Sequence, residues 1–157
     1  MIGENAAIGE REFLLDALKG NESAVDFCLL LGGIQQVWDD LVDGDKAVTA
    51  GRINQALIGA IIGLPLNGFY CRHFGELQPI MRVGIMDWMT ANALERGDDH
   101  DKTLAFMLRD SIVSIVVQCA YLVGGHDWAI SKAPSIRRYF HDETLAEYSL
   151  GLAESNR

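Results

Sequence analysis

Gln36-Val37-Trp38-Asp39-Asp40-Leu41-Val42-Asp43-Gly44-Asp45 closes a long apolar segment and sets four aspartates within seven residues. Upstream of it, Phe27, Leu30, Leu31 and Ile34 join Trp38 and Leu41 at helical spacing. They mark one face of a helix that runs from an Asn21 N-cap to Asp43, with Gly44 as the expected C-cap. On that helix Asp39 and Asp43 stand four apart and Asp40 and Asp43 three apart, all on one side. Like charges so spaced repel by a few tenths of a kcal/mol per pair. Acids at the negative end of a helix dipole cost about 0.3–1 kcal/mol each. Something has to offset this: water, a basic neighbour or a divalent cation.

The remaining punctuation is helical too. Glu4 to Leu18 reads as a first helix, with Ala7, Phe13, Leu14, Ala17 and Leu18 as its stripe and Gly20 as its stop. A third helix, capped by Thr49 or Asp45, runs to about Leu64 before Pro65. Gly59 and Gly63, four apart, give it a small-residue face suited to close packing. A short helix from Leu66 to Phe74 and a fourth from Pro79 to Arg96 follow. The fourth carries Met81, Met86 and Met89, which read as core or as the wall of an adaptable cavity. A fifth helix opens at Asp98-Asp99-His100-Asp101 and ends near Val123 before Gly124-Gly125. It is apolar nearly all round, apart from a polar stripe of Asp110, Ser111, Ser114, Gln118 and Tyr121. His126-Asp127-Trp128 reads as loop, Ser135 as the cap of a short basic piece, and Asp142 as the cap of the last helix. No series of alternating strands is present. The expectation is an all-α single domain over 1–157: a bundle of five to seven helices around Val25–Asp43 and Thr103–Val123.

Bulk properties exclude several classes. With 49% hydrophobic and 22% charged residues, the 157-residue chain has a globular composition. A net charge of −9 argues against a nucleic-acid partner, whose binding surfaces are basic. Cys28, Cys71 and Cys119 lie far apart in apolar surroundings, and read as buried thiols of a reducing, cytoplasmic compartment. Met1 to Glu12 carries acids and lacks the apolar centre of a signal peptide. Ala56–Leu66 and Ile112–Gly125 fall short of the roughly 18–20 residues that a spanning helix needs, so no membrane span is expected and both read as core. The four histidines lack the four-residue spacing of a helical zinc pair.

The chemistry sits in the acidic stretch. A hard cation such as Mg²⁺ takes oxygen ligands and keeps several waters, so one or two carboxylates and a ligand's phosphates suffice. A solvated helix end carries the same spacing, and both readings stay open. The run Trp38 to Asp45 resembles the first aspartate-rich motif of the trans-isoprenyl diphosphate synthases, an all-α isoprenoid synthase family. Lys102-Thr103-Leu104-Ala105-Phe106, leading into an apolar helix, resembles that family's Lys-Thr segment. The two patches cover less than a fifth of the chain. The resemblance implies Asp39, Asp40 and Asp43 as Mg²⁺ ligands. It implies Lys102 as a contact to a diphosphate-bearing ligand; Gln36, at the head of the acidic stretch, is a further candidate ligand contact beside it.

A looser resemblance is to the all-α NTP pyrophosphohydrolases, small and often dimeric proteins in which acidic pairs on facing helices hold Mg²⁺. It implies a homodimer and metal-assisted hydrolysis, with Asp40 or Asp43 orienting water. The reading from a different class is a non-enzymatic helical scaffold or interaction protein.

Overall fold

Asn21 starts the longest helix as its chemistry requires: its Oδ1 accepts the Ala24 N–H at 3.1 Å, satisfying one of the donors that a helix start leaves open. The helix ends at Gly44, whose φ of 67° is the left-handed conformation that glycine adopts without strain. A computed structural model describes residues 9–44 and 46–155, the side chains of 154 and 155 excepted. Within these residues the protein is all-α, 84% helical and without strands. In chain order the elements are α1 (Glu10–Ala17), α2 (Glu22–Asp43), α3 (Ala50–Ile58), a π turn (Gly59–Gly63), α4 (Leu64–Leu66) and α5 (Gly68–Arg72). Then follow α6 (Phe74–Leu94), α7 (Asp99–Arg109), α8 (Ile112–Gly124), α9 (His126–Phe140) and α10 (Leu145–Ser155). They amount to seven helices among the described residues, in keeping with the expected bundle of five to seven.

The chain divides into two compact units, one reaching Phe74 and including Leu122–Gly124, the other made of Gly75–Tyr121 and Gly125 onward. In the first unit, α1 ends where the Gly20 N–H reaches back to the Leu15 carbonyl at 2.7 Å. Leu14, Leu18, Val25 and Phe27 are its largest fully buried side chains among the described residues. Phe27 stacks on Tyr70 at 5.6 Å, and Asn67 and Phe69 hydrogen-bond to Ser23, so α5 is fastened to the start of α2. The second unit buries Leu77, Ala91, Ala105, Ile115 and Ile136.

Several expectations need correction. Residues 4–8 of the expected first helix, Ala7 among them, and Asp45 as a cap lie outside the described residues. Thr49 is the cap of α3: its Oγ1 accepts the Arg52 N–H at 3.3 Å. The third helix does not stop before Pro65 but continues to Leu66 through the π turn, where the Leu64 N–H bonds to the Gly59 carbonyl five residues back. A proline clashes with the carbonyl four residues before it, and a widened turn just ahead of it relieves that clash. The fourth helix starts at Phe74, and Pro79 lies inside it, giving up only a bond to the exposed Gly75. Asp110 and Ser111 break the fifth helix into α7 and α8.

His126-Asp127-Trp128 is the first turn of α9, not a loop, and Ser135 caps nothing: its hydroxyl donates to the Lys132 carbonyl at 2.8 Å. The last helix is capped by Thr144 in place of Asp142. Thr144 Oγ1 accepts the Glu147 N–H at 3.3 Å while Glu147 Oε2 accepts the Thr144 N–H at 2.8 Å, a reciprocal capping box. Cys28 and Cys119 are buried, but Cys71 is exposed. Met86 and Met89 are exposed rather than core, because α6 turns Leu77, Gly84 and Ala91 inward. The stretch Asp99–Gly124, 26 residues with a mean hydropathy of 1.6 over its apolar window, is long and apolar enough by composition to cross a membrane. Ile112–Gly125 measured alone had fallen short. Core helices, which are mostly buried, pass the same test; here 28% of the window is buried, through residues such as Val113, Ile115, Val116, Cys119 and Ala120.

Candidate functional site

The acidic end of α2 does not present three equivalent carboxylates. Asp40 is 4% exposed, Asp39 is half-buried and Asp43 is exposed. Asp40 turns toward α3, where its Oδ2 accepts a hydrogen bond from Arg52 Nη2 at 2.8 Å. Lys46 Nζ lies 3.8 Å from its other oxygen. A buried carboxylate without partners would cost several kcal/mol. Two cations remove that cost here, and the offset asked for by the sequence is a basic neighbour. Asp40 is thus committed to Arg52 and faces Lys46, while Asp39 and Asp43 are the more open carboxylates of the three. Among the described residues no three His, Cys, Asp or Glu side chains gather as a metal-holding group.

Arg52 is the residue that the sequence reading left without a role. Its signal was present. A cation in the first turn of a helix meets the positive end of the dipole, and α3 has no acid there to answer it. An acid in the last turn of α2 meets the negative end, and α2 has no base there. Each charge is misplaced on its own helix, and each is the other's remedy across the turn between Gly44 and Thr49.

Beside this pair, α2 and α3 enclose an open groove of about 330 Å³. Its walls are aliphatic, from Leu29, Leu30, Ile34, Val37 and Ala56. Its polar groups are Arg52, Gln36 and Gln55, so Gln36 does line a concavity. Gly33 opens the groove: a Cβ built there meets nothing within 4 Å. The volume lies at the lower end of the range for small-ligand pockets, and a few convergent polar groups in an apolar wall is their usual makeup.

Lys102 belongs to the second unit, where its Nζ lies 3.7 Å from Asp99 on the same helix. That unit holds a polar cluster absent from the sequence reading. Arg109 pairs with Glu95, and the Tyr148 hydroxyl donates to the same Glu95 oxygen at 2.5 Å. Burial and the neighbouring Glu95 carboxylate hold the Tyr148 phenol well above its ordinary ionisation range. His141 Nδ1 lies 2.7 Å from Asp110 Oδ2, and its ring meets the edge of Phe106 at 4.4 Å. Burial raises the Asp110 pKa, while His141 and then Arg109 pull it back. The polar stripe of the expected fifth helix pointed to Asp110, but its partner on the chain's far side carried no signal in spacing.

No family model, no curated protein and no solved structure matches this chain.

Proposed function

We propose that the chain binds a small phosphorylated ligand with an apolar remainder in the groove between α2 and α3. Arg52 meets the phosphate end, Gln36 and Gln55 hydrogen-bond to it, and Leu29, Leu30, Ile34 and Val37 take the apolar part. The observation that carries this reading is a guanidinium set in a mainly aliphatic concavity, with one edge held by Asp40. Arginine's fork has donors to spare: one nitrogen serves Asp40, and the others suit a phosphate or carboxylate. Mg²⁺, where it takes part, would be held by Asp39 and Asp43 with the ligand's own phosphates, since a hard cation needs one or two carboxylates and water. The reading keeps the ligand class implied by the isoprenoid synthase resemblance, moves its anchor from Asp40 to Arg52, and assigns no reaction.

Calorimetric titration with inorganic pyrophosphate and with a five-carbon isoprenyl diphosphate, each with and without Mg²⁺, tests it. The isoprenyl compound is expected to bind more tightly than pyrophosphate. Gly33→Leu, which fills the groove from an open position, is expected to weaken it at least tenfold at unchanged helicity. Absence of heat from wild type with either compound, or equal affinity in Gly33→Leu, would remove the proposal.

A further inference from the structure

The rod from Asp99 to Gly124 breaks without a breaker. From 98 to 123 the sequence holds neither glycine nor proline, and its spacing predicts one continuous helix. The structure interrupts it at Asp110 and Ser111, where Asp110 leaves the helical region at φ −91° and ψ 48°. The Val113 and Ser114 N–H groups then reach only three residues back, to the Asp110 and Ser111 carbonyls. Nothing local favours this. An aspartate or serine at a helix start ordinarily caps it, yet α8 begins with no side-chain cap. The cause lies on other elements of the second unit. Asp110 Oδ2 lies 2.7 Å from Nδ1 of His141, the residue that ends α9. Gly84 of α6 leaves room for Ser111: a Cβ there would fall 3.2 Å from the Ser111 Oγ. Two tertiary contacts hold a break that local propensity opposes, which is the balance a two-state element needs.

We propose that this break is a pH-sensitive joint: protonated His141 holds Asp110 and keeps α7 and α8 separate, and loss of that proton lets them merge into one helix. Histidine is the side chain whose charge changes between about pH 5 and 8. The groups around the pair set the sign. Asp110 faces His141 from the end of α9, Arg109 from its own helix, and Glu143 and Asp142 from the turn after α9. Arg109 is engaged by Glu95 of α6, and Glu95 also takes the Tyr148 hydroxyl of α10. Burial raises the Asp110 pKa, and His141, ahead of Arg109, lowers it again. A proton lost from His141 therefore leaves a half-buried carboxylate with less to hold it in place. A carboxyl whose pKa is raised in the broken form favours that form toward acid, and the advantage is lost as pH rises. Histidine and aspartate thus act in the same direction. The merged rod spans 26 residues, about 39 Å at 1.5 Å per residue.

Cα chemical shifts of Asp110 and Ser111, followed by NMR on the full chain from about pH 5.5 to about pH 8.5, test the proposal. Both are expected to move to helical values as pH rises, with the midpoint shown by the His141 ring protons. The ratio of broken to merged forms should fall by about tenfold or more. His141→Gln should give helical shifts at both positions already at the acid end. Gly84→Ala crowds Ser111 while favouring α6, so it acts without touching the ion pair and should lower the midpoint. His100→Gln, at the exposed start of α7, should leave the transition unchanged. Shifts that stay non-helical throughout, a midpoint away from that of the His141 ring, or a transition that persists in His141→Gln would each overturn it. Should His141→Gln fail to fold, a midpoint unmoved in Gly84→Ala overturns it equally.

Discussion

Arg52 and Asp40 bind each other at 2.8 Å across the turn that joins α2 to α3, each occupying the helix end that its own dipole disfavours. The carboxylate is 4% exposed and the arginine side chain 39%. Solvent therefore screens one partner, and the pair is worth less than a fully buried one. Asp40→Asn is expected to lower stability by about 1–3 kcal/mol, because it strands the Arg52 guanidinium at a helix start. Urea melts of Asp40→Asn, Arg52→Met and the double variant should give a coupling of about 1 kcal/mol. Were repulsion among the three aspartates the larger effect, Asp40→Asn would stabilise the protein instead, and this account of the acidic end would fail.

Three glycines of α2 and the following rod differ in what they face, and they should respond differently to alanine. Gly33 faces open space, so Gly33→Ala should gain about 1 kcal/mol from helix propensity alone. Gly59 and Gly63 each lie against one methyl of Leu30. Either alanine alone can be met by a turn of that side chain, and the propensity gain offsets the cost to within about 1 kcal/mol. With both present Leu30 has nowhere to go. The double variant is expected to be less stable than the sum of the singles by about 1–2 kcal/mol. Simple additivity in thermal melts would show that the rod can slide off α2.

Local signals gave most of the helices, and long-range ones were out of reach. Asn21, Thr49, Gly20 and Gly44 act as the caps and stops their chemistry suggests, since a cap is decided by its own three or four residues. Proline misled twice. Pro65 and Pro79 looked like boundaries, yet the π turn and an exposed carbonyl absorb them, and neither remedy is written in a proline's neighbours. At the site, the crowding of Asp39, Asp40 and Asp43 was legible, and so was the need for an offset. Which of them turns inward was not, because it depends on where α3 lies. The apolar run Ala56–Leu66 reads as core from its composition. Composition does not say which face a helix turns inward, and here the glycines were the clue that the aliphatic side faces out.

The Thr144–Glu147 capping box makes the start of α10 sensitive to acid. Hydrogen bonds from the Thr144 hydroxyl and N–H hold the Glu147 carboxyl below its usual 4.5. A depressed pKa contributes stability above the unfolded value, and that contribution is lost as pH falls through the lower folded value. The protection of the Glu147 and Tyr148 amides, relative to their intrinsic exchange at the same pH, should therefore fall below about pH 4.5 in wild type. Thr144→Ala should show the fast exchange already at pH 7, with a loss of about 1 kcal/mol in local stability. Identical exchange in the two proteins at pH 7 would mean that the box does not hold this helix.

Tyr148 offers the mirror case at high pH. Its ring is 5% exposed, packs at 5.4 Å from Phe106, and its hydroxyl is committed to Glu95 beside Arg109. Burial first, and then the carboxylate, raise the phenol's pKa above its usual 10.0. A raised folded pKa means that the folded state holds the proton more tightly. The stabilisation is whole below pH 10 and is lost as pH rises from there toward the folded value. Ultraviolet difference titration of wild type against Tyr148→Phe should show that the Tyr148 phenol ionises only well above its usual range. Tyr148→Phe should remove that late step and cost about 1–2 kcal/mol at neutral pH, because Glu95 loses a buried donor. If the Tyr148 phenol ionises near pH 10 in the folded protein, the Glu95–Arg109–Tyr148 cluster is open to solvent, and the second unit lacks the polar centre described above.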